Sequence, residues 1–385
     1  MQLELYASEY KVTAEGITVA LLPKEFALFQ FLYRNSDRTF SREQLLDNVW
    51  PLEYPVERTV DDHIYRLRKK LRPFIDLEIK SVRGLGYRLT VLRPKTAEQA
   101  NPTTQDPELY DAMRDVFGKY HQYGQGRSML TLARQQDVLG YELDPFYSVY
   151  VHFVQGDLEW LLHTDEVPLS ERIYWLLLFY LFSGDPKQKL VFCEQILAKK
   201  RLSPDRQLEM EILNILDLYT MAGKPDAALE RLMMSHSVIT DPIYENFRPQ
   251  TAITEMFVNL VVGAEENELR KMAETIEVDI LPSKPFLREV GSYKVVKGLW
   301  MLQRQEWREA EKLLDEGLHI LDKSGFVPIR LFALIRIHYY CGLFPPKKEL
   351  QQKYIDKYAE VQEQIGFNKL SGPLEATLQN VLNRF

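Results

Sequence analysis

Residues 58–72, RTVDDHIYRLRKKLR, carry six arginines and lysines together with one histidine and one tyrosine. Arginine and lysine side chains bind anions such as phosphates, and a guanidinium can donate two parallel hydrogen bonds to one planar partner. Composition alone leaves two interpretations open. The segment is either a solvated basic face of a helix or a surface that contacts a partner.

The apolar residues of this segment predict a helix with one buried stripe. They recur at i, i+4, i+7 and i+11, which is the period of an amphipathic α-helix. The stripe consists of Val60, Ile64, Leu67 and Leu71. Thr59 and Asp62 have the spacing of a capping box at the helix start. The opposite face carries Asp62, Tyr65, Arg66 and Lys69, with His63 and Lys70 on one flank and Arg68 and Arg72 on the other.

The elements around this helix are predicted to be short. Residues 3–22 alternate apolar and polar side chains around one turn, which indicates antiparallel strands. One helix begins at Pro23, and another follows Ser41, which has capping-box spacing with Gln44. Residues 77–89 form two alternating runs around GLG, the pattern of a β-hairpin with a basic tip. Three helices and a basic hairpin in this order make a winged helix.

Four strings follow one another in this region: PKEFALFQFL, SREQLLDNVW, ERTVDDHIYRLRKKL and VRGLGYRL. With them, residues 21–89 closely resemble the DNA-binding output domain of OmpR/PhoB-type response regulators. The resemblance implies that the helix from about Thr59 to Leu71 is a recognition helix in the major groove of double-stranded DNA. It also implies a bacterial transcription factor, more often an activator than a repressor, that binds as a dimer or in tandem.

The resemblance assigns roles to individual side chains. Arg66 lies near the centre of the exposed face. It is expected to recognise a guanine, because a guanidinium can donate two hydrogen bonds to that base. In the family, some helix positions carry side chains that contact DNA bases or the nearby DNA backbone. In this sequence those positions are occupied by His63, Tyr65, Arg66 and Arg68. Backbone-contacting positions are occupied by Arg42, Trp50, Arg58, Thr59, Lys69 and Ser81, and the minor-groove position of the hairpin tip by Arg83.

Several of these residues have a purely structural alternative. Trp50 is equally expected as a core residue, and Arg68 and Arg72 can cover the helix flank with their aliphatic stems. Asp61 is expected to interact favourably with the dipole of the helix start. Asp62 would lie near phosphates, where it weakens binding or selects against some sequences.

Three departures from the family pattern bear on function. Leu22 replaces the threonine that usually caps the first helix, which implies a loss of about 0.5 to 2 kcal/mol. Pro51 replaces a glycine in the loop of residues 51–58, which corresponds to the family surface that can contact RNA polymerase; that partner therefore stays open. We expect no receiver domain before the winged helix, so any switch is expected in the remaining residues.

Residues 108–385 are predicted to be nearly all helix. Breaks recur at intervals of about 40 residues and separate pairs of amphipathic helices, as in stacked helical hairpins. They fall near Gly184, Gly223, Gly263, Gln305 and Phe344. The pattern resembles tetratricopeptide-like repeats, and the whole architecture resembles SARP-type activators. We expect a groove for a peptide or protein effector, a dimerisation surface, or both.

The length, composition and charge distribution of the whole chain narrow the possible classes of protein further. The 385 residues are 45% hydrophobic and 27% charged, which suits a globular protein of two or three domains. Residues 1–95 carry 16 basic and 13 acidic side chains, whereas the rest of the chain carries 32 and 42. A stretch rich in Pro and Thr lies where the balance of charge changes from basic to acidic. We therefore expect domains at 1–93 and 108–385 with a linker at 94–107.

Other classes are disfavoured by what the sequence lacks. The longest apolar run, residues 173–182, is about half of a membrane span, and no secretory signal opens the chain. Motifs of nucleotide-binding loops, zinc proteases and serine hydrolases are missing, and the histidines lack metal-ligand spacing. Cys193 and Cys341 are expected to be buried free thiols. We therefore expect a cytoplasmic protein that is not an enzyme and needs no metal or cofactor.

The sequence thus predicts a mainly α-helical protein: an N-terminal α+β winged helix-turn-helix, followed by an all-α, tetratricopeptide-like superhelical repeat domain. The expected function is sequence-specific binding of double-stranded DNA in transcription regulation, under the control of the repeat domain. The alternative is a helical-repeat scaffold that binds a partner regulator, with DNA binding secondary.

Overall fold

A computed structural model describes residues 4–6, 9–14, 17–36, 39–50, 56, 58–74, 77–82, 85–91, 101–182 and 184–383. The chain separates into two compact units, Met1–Ala100 and Asn101–Phe385. The first is an α+β winged helix and the second is all-helical, which confirms the predicted fold class. Within the described ranges, none of the helices combines the length and the apolar character that a membrane span needs.

The described part of the first unit consists of two antiparallel sheets and three helices. The strands are β1 (Glu4–Tyr6), β2 (Lys11–Ala14), β3 (Ile17–Ala20), β4 (Thr39–Phe40), β5 (Leu77–Val82) and β6 (Gly86–Val91). The helices are α1 (Pro23–Arg34), α2 (Arg42–Val49) and α3 (Arg58–Lys70). The strand orders are β1-β2-β3 and β4-β6-β5. The β5–β6 hairpin, hereafter the wing, is the predicted basic hairpin.

The apolar faces of the three helices meet in one core. The four predicted stripe residues of α3 are all buried: Val60, Ile64, Leu67 and Leu71. They belong to the same core as Phe26 and Phe29 of α1, Leu45 of α2 and Leu89 of the wing. Each large apolar side chain that is buried contributes about 1.5 to 3 kcal/mol. Because the stripe fixes the rotation of α3 about its axis, the basic face of this helix points away from the core.

Side-chain capping fixes where α1 and α2 begin. At α2 the predicted capping box is present: the Gln44 N–H donates to Ser41 Oγ at 3.1 Å, and the Ser41 N–H donates to Gln44 Oε1 at 2.9 Å. At α1, Leu22 offers no capping oxygen, and the Glu25 carboxylate instead accepts from the Leu22 N–H at 2.9 Å. Glu25 therefore offsets part of the loss expected from Leu22.

The start of α3 differs from the sequence-based prediction. The helix begins at Arg58, so Thr59 lies within its first turn. A capping residue must lie outside the helix. The predicted capping box of Thr59 and Asp62 is therefore wrong, because the helix starts at Arg58, two residues earlier than the Val60 that a Thr59 cap would imply.

Gly86 opens β6 at a point where two strands approach closely. Its φ is +134°, and a Cβ at this position would lie 2.0 Å from the Phe40 carbonyl oxygen of β4. A side chain here would collide with that backbone. Glycine is therefore what allows β4 to pair with the wing.

The described part of the second unit is built of helices joined by short turns. They are α4 (Pro107–Gln122), α5 (Gly126–Arg134), α6 (Gln136–Leu139), α7 (Pro145–Gln155), α8 (Leu158–His163), α9 (Leu169–Tyr180), α10 (Pro186–Ala198), α11 (Pro204–Glu209), α12 (Ile215–Met221), α13 (Pro225–Val238), α14 (Arg248–Val262), α15 (Glu266–Glu274), α16 (Leu287–Gln303), α17 (Trp307–Ser324), α18 (Val327–Leu343), α19 (Lys348–Gln364) and α20 (Phe367–Asn383). Short 3-10 turns span Pro102–Gln105 and Glu245–Phe247, and π-helical stretches span Met210–Asn214 and Thr275–Ile280. Residues 94–100 of the predicted linker lie outside the described residues.

Sequence-adjacent helices pack as hairpins, as the repeated breaks predict. Examples are α12 with α13, α16 with α17 and α18 with α19. The helices also pack on partners far away in sequence: α5 on α17, α7 on α18, and α20 on α8 and α9. An open repeat array has contacts between neighbouring repeats only. The second unit instead closes on itself around a shared core, in which Cys193 and Cys341 are buried and free, as predicted.

A buried ion pair crosses this core. Arg336 of α18 donates two hydrogen bonds to the Asp217 carboxylate of α12, at 2.7 and 2.8 Å, and the side chains are 2% and 1% exposed. The Arg336 guanidinium also donates to Thr254 Oγ1 of α14 at 3.0 Å and lies 5.0 Å from the ring centroids of Phe257 and Phe332. Since a buried charge is stable only when it is paired, these contacts hold three helices in one relative position.

Candidate nucleic-acid interface

The outward face of α3 presents free cations beside an aromatic ring. Tyr65 is 69% exposed, and Arg66, Lys69 and Asp62 are exposed as well. Among the residues that the structure describes, the side chains of Arg66 and Lys69 have neither an ion pair nor a hydrogen bond. Both charges are therefore available to an anionic partner.

His63 lies at the edge of this face and is held in one orientation. Its Nδ1 is 2.8 Å from the Thr59 carbonyl oxygen. Because a carbonyl oxygen only accepts, Nδ1 carries the proton of this hydrogen bond. The His63 ring packs edge to face on Trp50 with 5.1 Å between centroids, and Trp50 is only 3% exposed. Trp50 thus occupies a core position, and any effect it has on a partner acts mainly through His63.

One carboxylate joins α2, α3 and the wing. Asp61 Oδ1 accepts from Arg42 Nε at 2.7 Å and from the Tyr87 hydroxyl at 2.7 Å. The Arg42 guanidinium also lies 5.2 Å from the centroid of the Tyr87 ring. Arg42 uses its Nε in this contact, and its Nη2 donates to the Tyr87 hydroxyl at 3.4 Å. The guanidinium has further N–H groups for another acceptor, since the side chain is 36% exposed.

The same contacts keep Asp61 ionised. Partial burial by itself raises the pKa of this carboxyl, but the hydrogen bonds from Tyr87 and Arg42 and the charges of Arg42 and Arg58 hold the pKa below its usual value. The carboxylate in turn raises the pKa of Arg42. The sequence predicts that Asp61 interacts with the dipole of the helix start, whereas its partners in the structure are side chains.

Arg68 is engaged in joining α3 to the wing. Its Nε donates to the Ile79 carbonyl at 2.8 Å, and its Nη2 donates to Ser81 Oγ at 2.9 Å. This arrangement favours a positioning role for Arg68 over direct base contact. Because Ser81 Oγ accepts from Arg68, its own hydroxyl proton remains available to a phosphate.

The sequence does not predict a further carboxylate contact of α3, which involves the buried Glu25 of α1. Glu25 is 0% exposed, and it accepts from Lys70 Nζ of α3 at 2.6 Å. Burial alone raises the pKa of Glu25, but the bonds from the Leu22 N–H and Lys70 lower it overall. The third position of α1, where a capping glutamate belongs, was the available signal. Lys70 therefore stabilises the fold and is not a free cation of the face.

The remaining predicted site residues have different outcomes. Arg58 is exposed and Thr59 is half-buried in the first turn of α3. Arg83 lies outside the described residues, as does most of the loop of residues 51–58 that was considered for RNA polymerase.

Comparison with known proteins points to one domain type for the first unit. A family profile described as "Transcriptional regulatory protein, C terminal" matches residues 16–89. The transcriptional regulatory protein ResD of Bacillus subtilis is 43% identical over 86 residues, which are 21% of this chain and 36% of ResD. The phosphate regulon regulator PhoB of Escherichia coli is 43% identical over 90 residues, which are 23% of this chain and 39% of PhoB.

Two solved structures are similar to the same segment. The DNA-binding domain of Bacillus subtilis CssR is 30% identical, with a TM-score of 0.21, and the match covers 23% of this chain and 100% of that domain. The DNA-binding domain of E. coli CadC is 28% identical, with a TM-score of 0.22, and the match covers 23% of this chain and 86% of that chain. The match spans only 36% to 46% of the curated relatives' length.

Proposed function

Because residues 16–89 form an OmpR/PhoB-type winged-helix DNA-binding domain, we propose that this chain is a transcriptional regulator that binds specific sequences in double-stranded DNA. The observation that carries the proposal is the α3 surface. Arg66 and Lys69 are exposed, with no side-chain partner among the described residues, on a helix whose opposite stripe is buried. In this proposal α3 lies in the major groove, where each base pair presents a distinct set of donors and acceptors.

The exposed side chains have different roles in DNA binding. Arg66 pairs with a guanine, and His63 and Tyr65 contact neighbouring base edges. Asp62 disfavours sequences that bring a phosphate close to it. Phosphates are contacted by Arg42, Arg58, Thr59, Lys69 and Ser81, and the minor groove is entered by Arg83. These phosphate contacts set the register of the helix without reading sequence.

The helical unit is proposed to control this binding in the bacterial cytoplasm. It does so by binding a peptide or protein effector, by forming a homodimer, or by both. A dimer would place two winged helices on half-sites about one helical turn apart. The acidic charge and the separate core of this unit support a role other than direct DNA contact. Transcription activation, with RNA polymerase as a further partner, is part of the proposal.

Selection from a random DNA library tests the proposal. The full-length chain is incubated with the library at near-physiological salt, because non-specific binding is strongly salt-dependent. We expect enrichment of one motif, present as a spaced repeat if the chain dimerises. Absence of any enriched motif contradicts the proposal and favours the alternative, in which the helical unit is a scaffold for a partner regulator.

A further inference from the structure

A cavity of about 660 Å³ lies between the end of α3 and the wing strand β5. Its lining includes the buried side chains of Leu71 and Phe74 and the polar side chains of Arg68, Arg72 and Ser81. Among the described strands β5 is the outer one of its sheet, so one of its edges has no strand partner. The cavity is open to solvent, and its volume is many times what one water molecule needs. It therefore has room for a ligand group.

The charges around this cavity do not cancel. Lys80 and Glu78 also line it, and they pair with each other at 3.4 Å. Within the described ranges, neither Arg68 nor Arg72 has a carboxylate partner. Charges of one sign beside apolar walls concentrate the electric field. The two arginines therefore make the cavity attractive to an anion.

Arg68 is held in one position beside the cavity. Its Nε and Nη2 are bonded to the Ile79 carbonyl and to Ser81 Oγ, and its guanidinium lies 5.7 Å from the ring centroid of Tyr87. Its Nη1 has no acceptor in the described part of the chain. The hydroxyl proton of Ser81 is free as well, because Oγ accepts from Arg68. Two donors beside the cavity are thus available to an anion.

Arg72 follows α3 directly and is exposed. Two structural roles are open to it: its aliphatic stem can cover the helix flank, and its charge can interact favourably with the dipole at the helix end. Neither role uses the N–H donors of the guanidinium. Of the residues with described positions, none forms an ion pair or hydrogen bond with this side chain. Arg72 therefore has donors to spare for a ligand in the cavity.

We propose that this cavity binds a phosphate group of the DNA backbone, with Arg72 as its main contact and Arg68 and Ser81 as further donors. The inference rests on the proposed function, because a DNA strand reaches the cavity only when the duplex lies along α3. The position of Ser81 supports the proposal: this residue, assigned above to a phosphate, also lines the cavity. Such a contact adds affinity and fixes register without reading sequence.

The salt dependence of DNA binding tests the inference on the full-length chain. The logarithm of the binding constant falls linearly with the logarithm of the salt concentration, and each neutralised phosphate contributes about 0.9 to the slope. Fluorescence anisotropy at several salt concentrations gives this slope for the selected motif and for unrelated DNA. A role in covering the helix or in its dipole changes unfolding and leaves the slope unaltered.

Three variants are compared with the unmodified chain. Arg72→Gln removes the charge, Arg72→Lys keeps it, and Lys11→Gln removes one charge from the other sheet of the same unit, where Lys11 pairs with Glu9. We expect Arg72→Gln to make the slope shallower by about 0.9 on both DNAs, with the preference for the motif unchanged. Arg72→Lys and Lys11→Gln should retain the slope of the unmodified chain.

A second measurement locates the phosphate. Duplexes that carry the motif are prepared with a neutral methylphosphonate in place of one phosphate, position by position. We expect one position at which this replacement weakens binding of the unmodified chain about two- to fivefold, the range of an exposed ion pair. The same replacement should have no further effect on Arg72→Gln.

Two results would overturn the inference. If Arg72→Gln keeps the slope of the unmodified chain, the cavity holds no phosphate and Arg72 has a structural role or another partner. If Lys11→Gln reduces the slope equally, the effect of Arg72 is long-range attraction and not a contact. In both cases a chain that still enriches a motif leaves the proposed function intact. A chain that enriches no motif contradicts the proposed function itself.

Discussion

Arg42 Nε donates a hydrogen bond to Asp61 Oδ1 at 2.7 Å, and this contact fastens α2 to the first turn of α3. The Tyr87 hydroxyl donates to the same oxygen, so the wing is fastened there too. The orientation of the proposed recognition helix thus depends on one carboxylate that does not itself need to touch DNA.

Asp61→Asn is expected to weaken both the fold and DNA binding. The amide loses the charge-assisted bond from Arg42, which we estimate at about 1 kcal/mol because the pair is partly exposed. Asp62→Asn is the matched control, since Asp62 is exposed on the neighbouring position of the helix. It should leave stability unchanged and keep or raise DNA affinity. Urea unfolding and fluorescence anisotropy compare the two; identical behaviour of both variants contradicts the role assigned to Asp61.

Lys70→Met is expected to destabilise the winged helix more than Glu25→Gln does. Removal of Lys70 leaves the Glu25 carboxylate 0% exposed with only the Leu22 N–H as partner. Removal of the Glu25 charge leaves Lys70, whose ammonium group can rotate away and be hydrated by solvent. An uncompensated buried charge costs roughly 1 to 3 kcal/mol or more. Chemical denaturation measures both variants, and a larger loss for Glu25→Gln would show that the carboxylate is hydrated.

Arg336→Met is expected to destabilise the helical unit by about 3 to 5 kcal/mol, because it leaves Asp217 buried and unpaired. The double variant Arg336→Met/Asp217→Leu removes both charges and should regain most of that loss. Arg330→Gln is the control, since Arg330 forms a more exposed pair with Asp322 at 3.2 Å. Thermal unfolding followed by circular dichroism provides the measurement. If the double variant is as unstable as Arg336→Met, the loss of stability does not come from leaving the Asp217 charge unpaired.

The stability of the helical unit is expected to fall in mild acid because of His121. Its pKa drops from 6.5 to about 3 on folding, through burial and the charges of Arg288 and Arg206. The unfolded chain therefore binds this proton at higher pH than the folded chain does. Stability is complete above about pH 6.5 and declines toward pH 3, by up to about 1.4 kcal/mol per pH unit.

Comparison with His121→Phe isolates this effect. Between pH 7 and pH 5 the unmodified chain should lose roughly 2 kcal/mol more unfolding free energy than the variant does. Urea titrations at the two pH values give the difference. Equal losses for both proteins would mean that His121 is not desolvated in the folded state.

Part of the site could be predicted from the sequence because it depends on local periodicity. The stripe from Val60 to Leu71 fixes which side of α3 is buried, and the exposure of Arg66 follows from it. The engagement of Arg68 could not be predicted in this way. It depends on the distance between α3 and β5, which brings Ile79 and Ser81 within reach only in the folded domain.

In the helical unit, too, some features follow from local sequence and others depend on the folded structure. The breaks near Gly263 and Gln305 coincide with the ends of α14 and α16, because helix ends leave a local signal in the sequence. The packing of α20 on α8 and α9 leaves no such signal. Contacts between helices this far apart in sequence depend on the shape of the whole unit, and so does the assembly of Arg206, Arg288 and His121.

The most direct test of the account is the affinity of the full-length chain for its selected DNA motif and for the same DNA with the guanine opposite Arg66 replaced. Anisotropy is measured at several salt concentrations for the unmodified chain, Arg66→Ala and the control Arg270→Ala, whose side chain is 62% exposed in the helical unit. The account predicts that Arg66→Ala loses about 1 to 3 kcal/mol on the motif and no longer distinguishes the two DNAs, while the control matches the unmodified chain. Undiminished discrimination by Arg66→Ala would contradict the claim that α3 reads sequence through this side chain.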